Sequence, residues 1–107
     1  MADVRIILTT LADKGSAEKL ASQLVERRLA ACVNIVGPIH SIYRWKGNID
    51  RADEYLLVVK TTAEQASRLQ AALKELHPYE LPEHVELSVE GGSEAYLAWI
   101  AAEVSGE

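Results

Sequence analysis

The stretch from Ala31 to Thr61 is too long to be an ordinary strand pair, and this limits the fold more than any other feature of the chain. Ala31 to Val36 is extended in character and is interrupted at Gly37-Pro38, where proline removes a ladder donor and glycine permits a bend or bulge. The strand resumes at Ile39 and runs to Lys46. Gly47-Asn48 then has the glycine-first composition of a two-residue hairpin turn, and Ile49 to Thr61 returns antiparallel, with Lys46 expected opposite Ile49 and Trp45 opposite Asp50. At ~3.3 Å per residue the outgoing strand would be roughly 50 Å long if straight, against a radius of gyration of ~13 Å for a domain of this size. Either Gly37-Pro38 bends it or the tip projects. Both outcomes leave Ile42, Tyr43 and Trp45 with too little of their own domain to cover them, and exposed ribbons of this kind are hidden by pairing with another chain. The alternative is a hairpin that folds back on its own sheet in a monomer.

The flanking segments supply the rest of a sheet and its helices. Val4 to Leu8, followed by Thr9 and Thr10, has the pattern of a buried strand. Asp13 can cap a helix from about Lys14 to Arg28, because Ala17, Leu20, Ala21, Leu24 and Val25 form one apolar stripe. Arg27 and Arg28 would then offset the free carbonyls at its end. Thr62 with Gln65 makes a capping box before Ala66, Leu69, Leu73 and Leu76, and Pro78 stops that helix. Val85, Leu87 and Val89 alternate with Glu86 and Ser88, predicting a fourth strand with one wet and one dry face. Gly91-Gly92 breaks it, and Ser93 can cap a last helix carrying Tyr96, Leu97, Trp99 and Ile100. Strand, helix, strand, strand, helix, strand is the split βαβ order, so the expected class is α+β. It is a ferredoxin-like sandwich with a long hairpin between its second and third strands and a short extra C-terminal helix.

Composition decides what such a domain can bind. With 107 residues there is room for one domain, taken as 1–107, and 49% apolar with 25% charged residues suits a globular fold. A net charge of -5 lacks the positive field that phosphate backbones require, so nucleic acid is not an expected partner. No apolar run approaches the ~20 residues that span a bilayer, so no membrane partner is expected. Met1-Ala2-Asp3-Val4 has no basic segment leading into a hydrophobic one, and a cytoplasmic location is expected. Cys32 is the single cysteine, which excludes an internal disulfide.

Few side chains point to chemistry. His77 can be a ligand for copper, zinc or nickel, or a helix-end residue whose ring bonds a free carbonyl. Cys32 lies in the apolar run Ala30-Ala31-Cys32-Val33, where a thiol packs as a small hydrophobe unless its neighbourhood is electropositive. His40 and His84 have no spacing to His77 that fixes a closed zinc site. Lys60, before the second helix, could bind an anion with that helix's free amides, or could be a solvated strand end. No nucleophile with a sequence-suggested base is present, and no enzyme is expected.

Four blocks then stand out: Leu29-Ala30-Ala31-Cys32-Val33-Asn34-Ile35, Ser41-Ile42-Tyr43-Arg44-Trp45-Lys46-Gly47, Lys60-Thr61, and His77-Pro78-Tyr79-Glu80 with Pro82. In this order and spacing, with the final Tyr96-Leu97-x-Trp99-Ile100, the chain resembles the CutA divalent-cation-tolerance family over nearly its whole length. The resemblance implies a homotrimer related in shape to the PII signalling proteins, a link to divalent metal ions with copper the usual candidate, and no catalytic activity. It also implies that Tyr43, Trp45, Lys60, His77, Tyr79 and Glu80 line or approach a cleft between subunits. Cys32, His77 and Glu80 are the candidate metal ligands, for copper or another divalent metal that is not tightly held. One departure matters: Thr10-Leu11-Ala12-Asp13 stands where many members carry a cysteine proposed to bind copper, and Leu76 stands where some bacterial relatives carry a second histidine.

Overall fold

A computed structural model describes residues 2–105. Its elements run β1 (Val4–Leu11), α1 (Lys14–Glu26), β2 (Cys32–Trp45), β3 (Asn48–Thr62), α2 (Ala63–Leu76), β4 (Val85–Ser88) and α3 (Glu94–Ser105). The four strands form one antiparallel sheet in the order β2-β3-β1-β4, the α+β, ferredoxin-like arrangement expected from the element order.

Period-2 alternation sorts the sheet into two faces. Ile7, Thr9 and Leu11 of β1 pair with Val59, Leu57 and Tyr55 of β3, and this row meets Leu20 and Leu24 of α1 and Leu69 and Leu73 of α2 in the main core. Each fully buried leucine there contributes about 1.5–3 kcal/mol. The alternate row holds Ile6 and Leu8 of β1, Leu56 and Val58 of β3, and Val85 and Leu87 of β4. One end of it is covered where Leu97 and Ile100 of α3 close over Val4. The dry face expected for β4 is therefore covered only at Val89, which packs against that cluster; Val85 and Leu87 are each 45% exposed.

The helix ends differ from expectation in instructive ways. Asp13 caps α1 by accepting from the Ser16 N–H at 2.7 Å, but the helix stops at Glu26 and Arg28 takes a left-handed φ of 57°. Arg28 does not serve its own helix; its Nη1 donates to the Glu103 carbonyl at 2.7 Å in the last turn of α3. Thr62 has the backbone of an N-cap without a side-chain cap bond, so the expected capping box does not form. Gln65 instead donates its amide to the Val104 carbonyl at 2.8 Å. The terminal carbonyls of α3, which no turn of its own can satisfy, thus receive donors from two other parts of the chain.

The hairpin is as long as the sequence requires, and the molecule measures 44 × 25 × 21 Å. Its turn lies one residue earlier than expected, because Lys46 adopts φ 50° and Gly47 φ 84°, the left-handed pair of a type I′ turn. Trp45 consequently faces Asn48, and Tyr43 faces Asp50. At Gly37-Pro38 a bulge sets both residues of β2 against Tyr55 alone. One extra residue exchanges the faces of everything beyond it. Ile35 points to the helix side with Leu57, whereas beyond the bulge Ile39, Tyr43 and Trp45 share the face of Glu54 and Asp50. Gly37 is required because a Cβ there would stand 2.5 Å from the Tyr55 ring.

Candidate functional site

The bulge has a chemical result: it delivers two aromatic rings to the side of the sheet where β3 carries a buried carboxylate. Glu54 is 8% exposed, and it occupies the open-face row beside Leu56 and Val58. The segment after α2 closes over it. The Tyr79 hydroxyl donates to Glu54 Oε2 at 2.7 Å, and a cavity of about 750 Å³ opens between Tyr43, Trp45, Tyr79, Glu54, Glu80 and Glu83.

His77 anchors that closing segment. Its Nδ1 accepts the Tyr79 N–H at 3.1 Å, which leaves the ring proton on Nε2 to be donated to the Thr10 carbonyl at 2.8 Å. The Tyr79 ring meets the imidazole edge to face at 4.8 Å. Burial lowers the His77 pKa, with the Thr10 carbonyl and Glu54 opposing. Desolvation first and the Glu54 carboxylate second push the Tyr79 phenol well up, keeping it a hydrogen-bond donor. Glu83 is also raised, by burial and then by Glu54. At the mouth, Lys46 Nζ stands 3.7 Å from Glu80 and 5.6 Å from the centre of the Trp45 ring.

Of the residues singled out from the sequence, Tyr43, Trp45, Tyr79 and Glu80 line this one cavity, with His77 beneath it. Lys60 and Cys32 lie elsewhere. They are cross-strand partners in the row of Ile6, four positions along β1 from the Thr10 that His77 touches, about 13 Å of strand. Lys60 Nζ lies 3.4 Å from the Tyr96 hydroxyl, and Tyr96 stacks on Trp99. Cys32, His77 and Glu80 are not brought together as a ligand set within the chain, and both His77 nitrogens are engaged by backbone groups. Among the described residues no group of three or more His, Cys, Asp or Glu side chains is placed to hold a metal ion.

Glu54 and Glu83 escaped the sequence reading. Glu54 left a signal, a carboxylate in the row that continues as Leu56 and Val58; Glu83 left none, since it lies in irregular chain. No helix among the described residues is long and apolar enough to cross a membrane.

Comparison with known proteins agrees with this architecture. The family profile described as "CutA1 divalent ion tolerance protein" matches residues 5–103. The divalent-cation tolerance protein CutA of Thermus thermophilus is 45% identical over 95 residues, covering 89% of this chain and 92% of that one. The crystal structure of CutA from Xylella fastidiosa superposes with a TM-score of 0.94 at 40% identity, covering 97% of this chain and 100% of the other. The solved structure of CutA from Synechococcus elongatus gives a TM-score of 0.93 at 45% identity, with 98% of this chain and 93% of the other covered.

Proposed function

We propose, because the chain belongs to the CutA1 divalent ion tolerance family, that it acts as a cytoplasmic homotrimer that binds divalent metal ions, copper in its divalent state among them, and does so without catalysis. One observation supports the assembly above the rest: the half-open row of Ile6, Leu8, Leu56, Val58, Val85 and Leu87 is an apolar sheet face that the described residues cover only in part. Faces of this kind are buried by association. Three copies packed on these faces would also give the projecting ribbons neighbours to pair with.

The metal ligands follow from what is free. His77 could ligate only by giving up its bond to Tyr79 or Thr10, so the first donors a cation meets are the carboxylates of Glu54, Glu80 and Glu83 and the tyrosine oxygens. Oxygen donors favour hard divalent ions and accept Cu²⁺ less well than imidazole does. A complete site therefore needs groups from a second copy, at a cleft to which Tyr43, Trp45, Tyr79 and Glu80 contribute. Light scattering at micromolar protein should give three times the chain mass. Equilibrium dialysis with Cu²⁺ and Zn²⁺ should show saturable binding that Glu80→Gln weakens; no saturation at micromolar metal rejects the metal site, and a single-chain mass rejects the trimer.

A second reading rests on Lys60, which has no carboxylate partner among the described residues and faces the open side of the sheet. A PII-like module would bind a small anion or a protein partner there. Thermal stabilisation by inorganic phosphate that is lost in Lys60→Ala would favour it over the metal reading.

A further inference from the structure

We propose that the cavity walled by Tyr43, Trp45 and Tyr79 is a binding site for a small organic cation, a primary ammonium on an apolar body, with Glu54 and Glu83 as its counter-charges. The walls named lie in this chain, and Glu54 and Glu83 are also among the first donors of the metal reading above, so the two ligands would compete for one cavity.

Charge gives the first argument. Glu54 is more than nine-tenths buried, and among the described residues its side-chain hydrogen-bond donor is the neutral hydroxyl of Tyr79. Among the described residues, no Lys, Arg or His nitrogen lies within ion-pair distance of Glu54 or Glu83. A buried carboxylate without a counter-ion is costly, and a cation that enters relieves that cost in surroundings where the attraction is poorly screened. Burial first and the Glu54 carboxylate second raise the Glu83 pKa above its ordinary value. An anion would meet three carboxylates and be repelled.

The walls give the second. The bulge at Gly37-Pro38 turns Tyr43 and Trp45 to the side of Glu54, so the rings and the carboxylate face one space. Aromatic faces attract ammonium groups within about 6 Å of the ring centre. The chain already makes such an arrangement at the mouth, where the Lys46 ammonium sits 5.6 Å from the Trp45 ring centre and 3.7 Å from Glu80. Deeper in, the same chemistry is repeated without a lysine to satisfy it.

Size gives the third. About 750 Å³ suits a small molecule and far exceeds a bare ion. A metal would need several donors converging at 2.0–2.6 Å, whereas an ammonium with a hydrocarbon body uses the carboxylates and the rings together.

The test uses the full chain with benzylammonium chloride and its neutral isostere benzyl alcohol at fixed ionic strength, read by saturation-transfer NMR and calorimetry. Benzylammonium should saturate at least tenfold more tightly than the alcohol. Glu54→Gln, which keeps an acceptor for Tyr79, should weaken it at least tenfold, and Glu94→Gln on the exposed start of α3 should not. Glu83→Gln provides the same comparison should Glu54→Gln fail to fold. Equal binding of alcohol and amine, or no response to either variant, overturns the proposal. So does binding that appears only in Lys60→Met, which would show a lysine of another copy already answering the charge. Mass by light scattering on the same samples keeps a failure of the trimer separate from a failure of this site.

Discussion

Leu56 and Leu57 are neighbours on one strand with the same side chain, and the sheet treats them differently. Leu57 is fully buried beneath α1 and α2, whereas Leu56 is only half-buried on the other face, in the row that also carries Val58 and Glu54. One face is finished within the chain and holds the fold together. The other is left apolar and incomplete, and the aromatic and acidic groups of the cavity are grouped at its outer end. Burial of matched residues thus separates the part of the sequence that answers to stability from the part that answers to partners.

The sharpest way to break this contrast is a pair of truncations. Leu57→Ala should cost about 2–5 kcal/mol in denaturant unfolding, the range for a buried leucine that leaves a cavity. Leu56→Ala should cost well under half as much in samples too dilute to associate. Equal losses would mean that the open face carries the fold after all. Gly37→Ala is next, at about 1–3 kcal/mol, since the new methyl must displace the Tyr55 ring or the bulge. A normal unfolding midpoint in that variant would show that the exchange of faces along β2 does not depend on a bare backbone. Tyr79→Phe should lose about 1 kcal/mol with the hydroxyl bond to Glu54.

The smallest effect is a pH dependence, and two residues pull it in opposite directions. The lowered pKa of His77 means that the unfolded chain binds the proton more readily, so its contribution is complete above the ordinary value of 6.5 and is lost as pH falls below it. Glu83, raised from 4.5, is the reverse: the folded chain holds that proton more tightly, and stability declines as pH rises from 4.5 through the raised value. Denaturation midpoints at pH 7.5 and 5.5 should therefore differ more in Glu83→Gln than in the parent. His77→Gln should remove the decline toward pH 5.5.

Periodic features were legible in the sequence. The stripe of α2, that of α1 except Val25, which is exposed, the apolar run of β1 and the length of the hairpin rest on residue spacing, which tertiary contacts did not override; the alternation of β4 is present, but Val85 and Leu87 stay half-exposed. Positions decided by one residue's conformation were harder to read. The turn falls on Lys46-Gly47 because a lysine accepts the left-handed region, which composition assigns to glycine first. Gln65 and Arg28 were read as serving their own helices, and the end of α3, distant in sequence, claims both. At the site, the motif residues Tyr43, Trp45, Tyr79 and Glu80 converge, but the carboxylates that give the cavity its charge come from a strand row and a loop. Only the assembled sheet brings those together.

The ribbon's geometry also orders its motions. At its base β3 is flanked on both sides, by β2 and by β1 as far as Tyr55, and lies over the helices. From Asp53 to Asn48 it has β2 alone for company. Amide protons should exchange fastest near Lys46-Gly47 and progressively more slowly toward Val59, in a gradient running the length of the arm. A partner that clasps the arm would flatten that gradient from the tip inward, so exchange rates along a single hairpin record whether it is held.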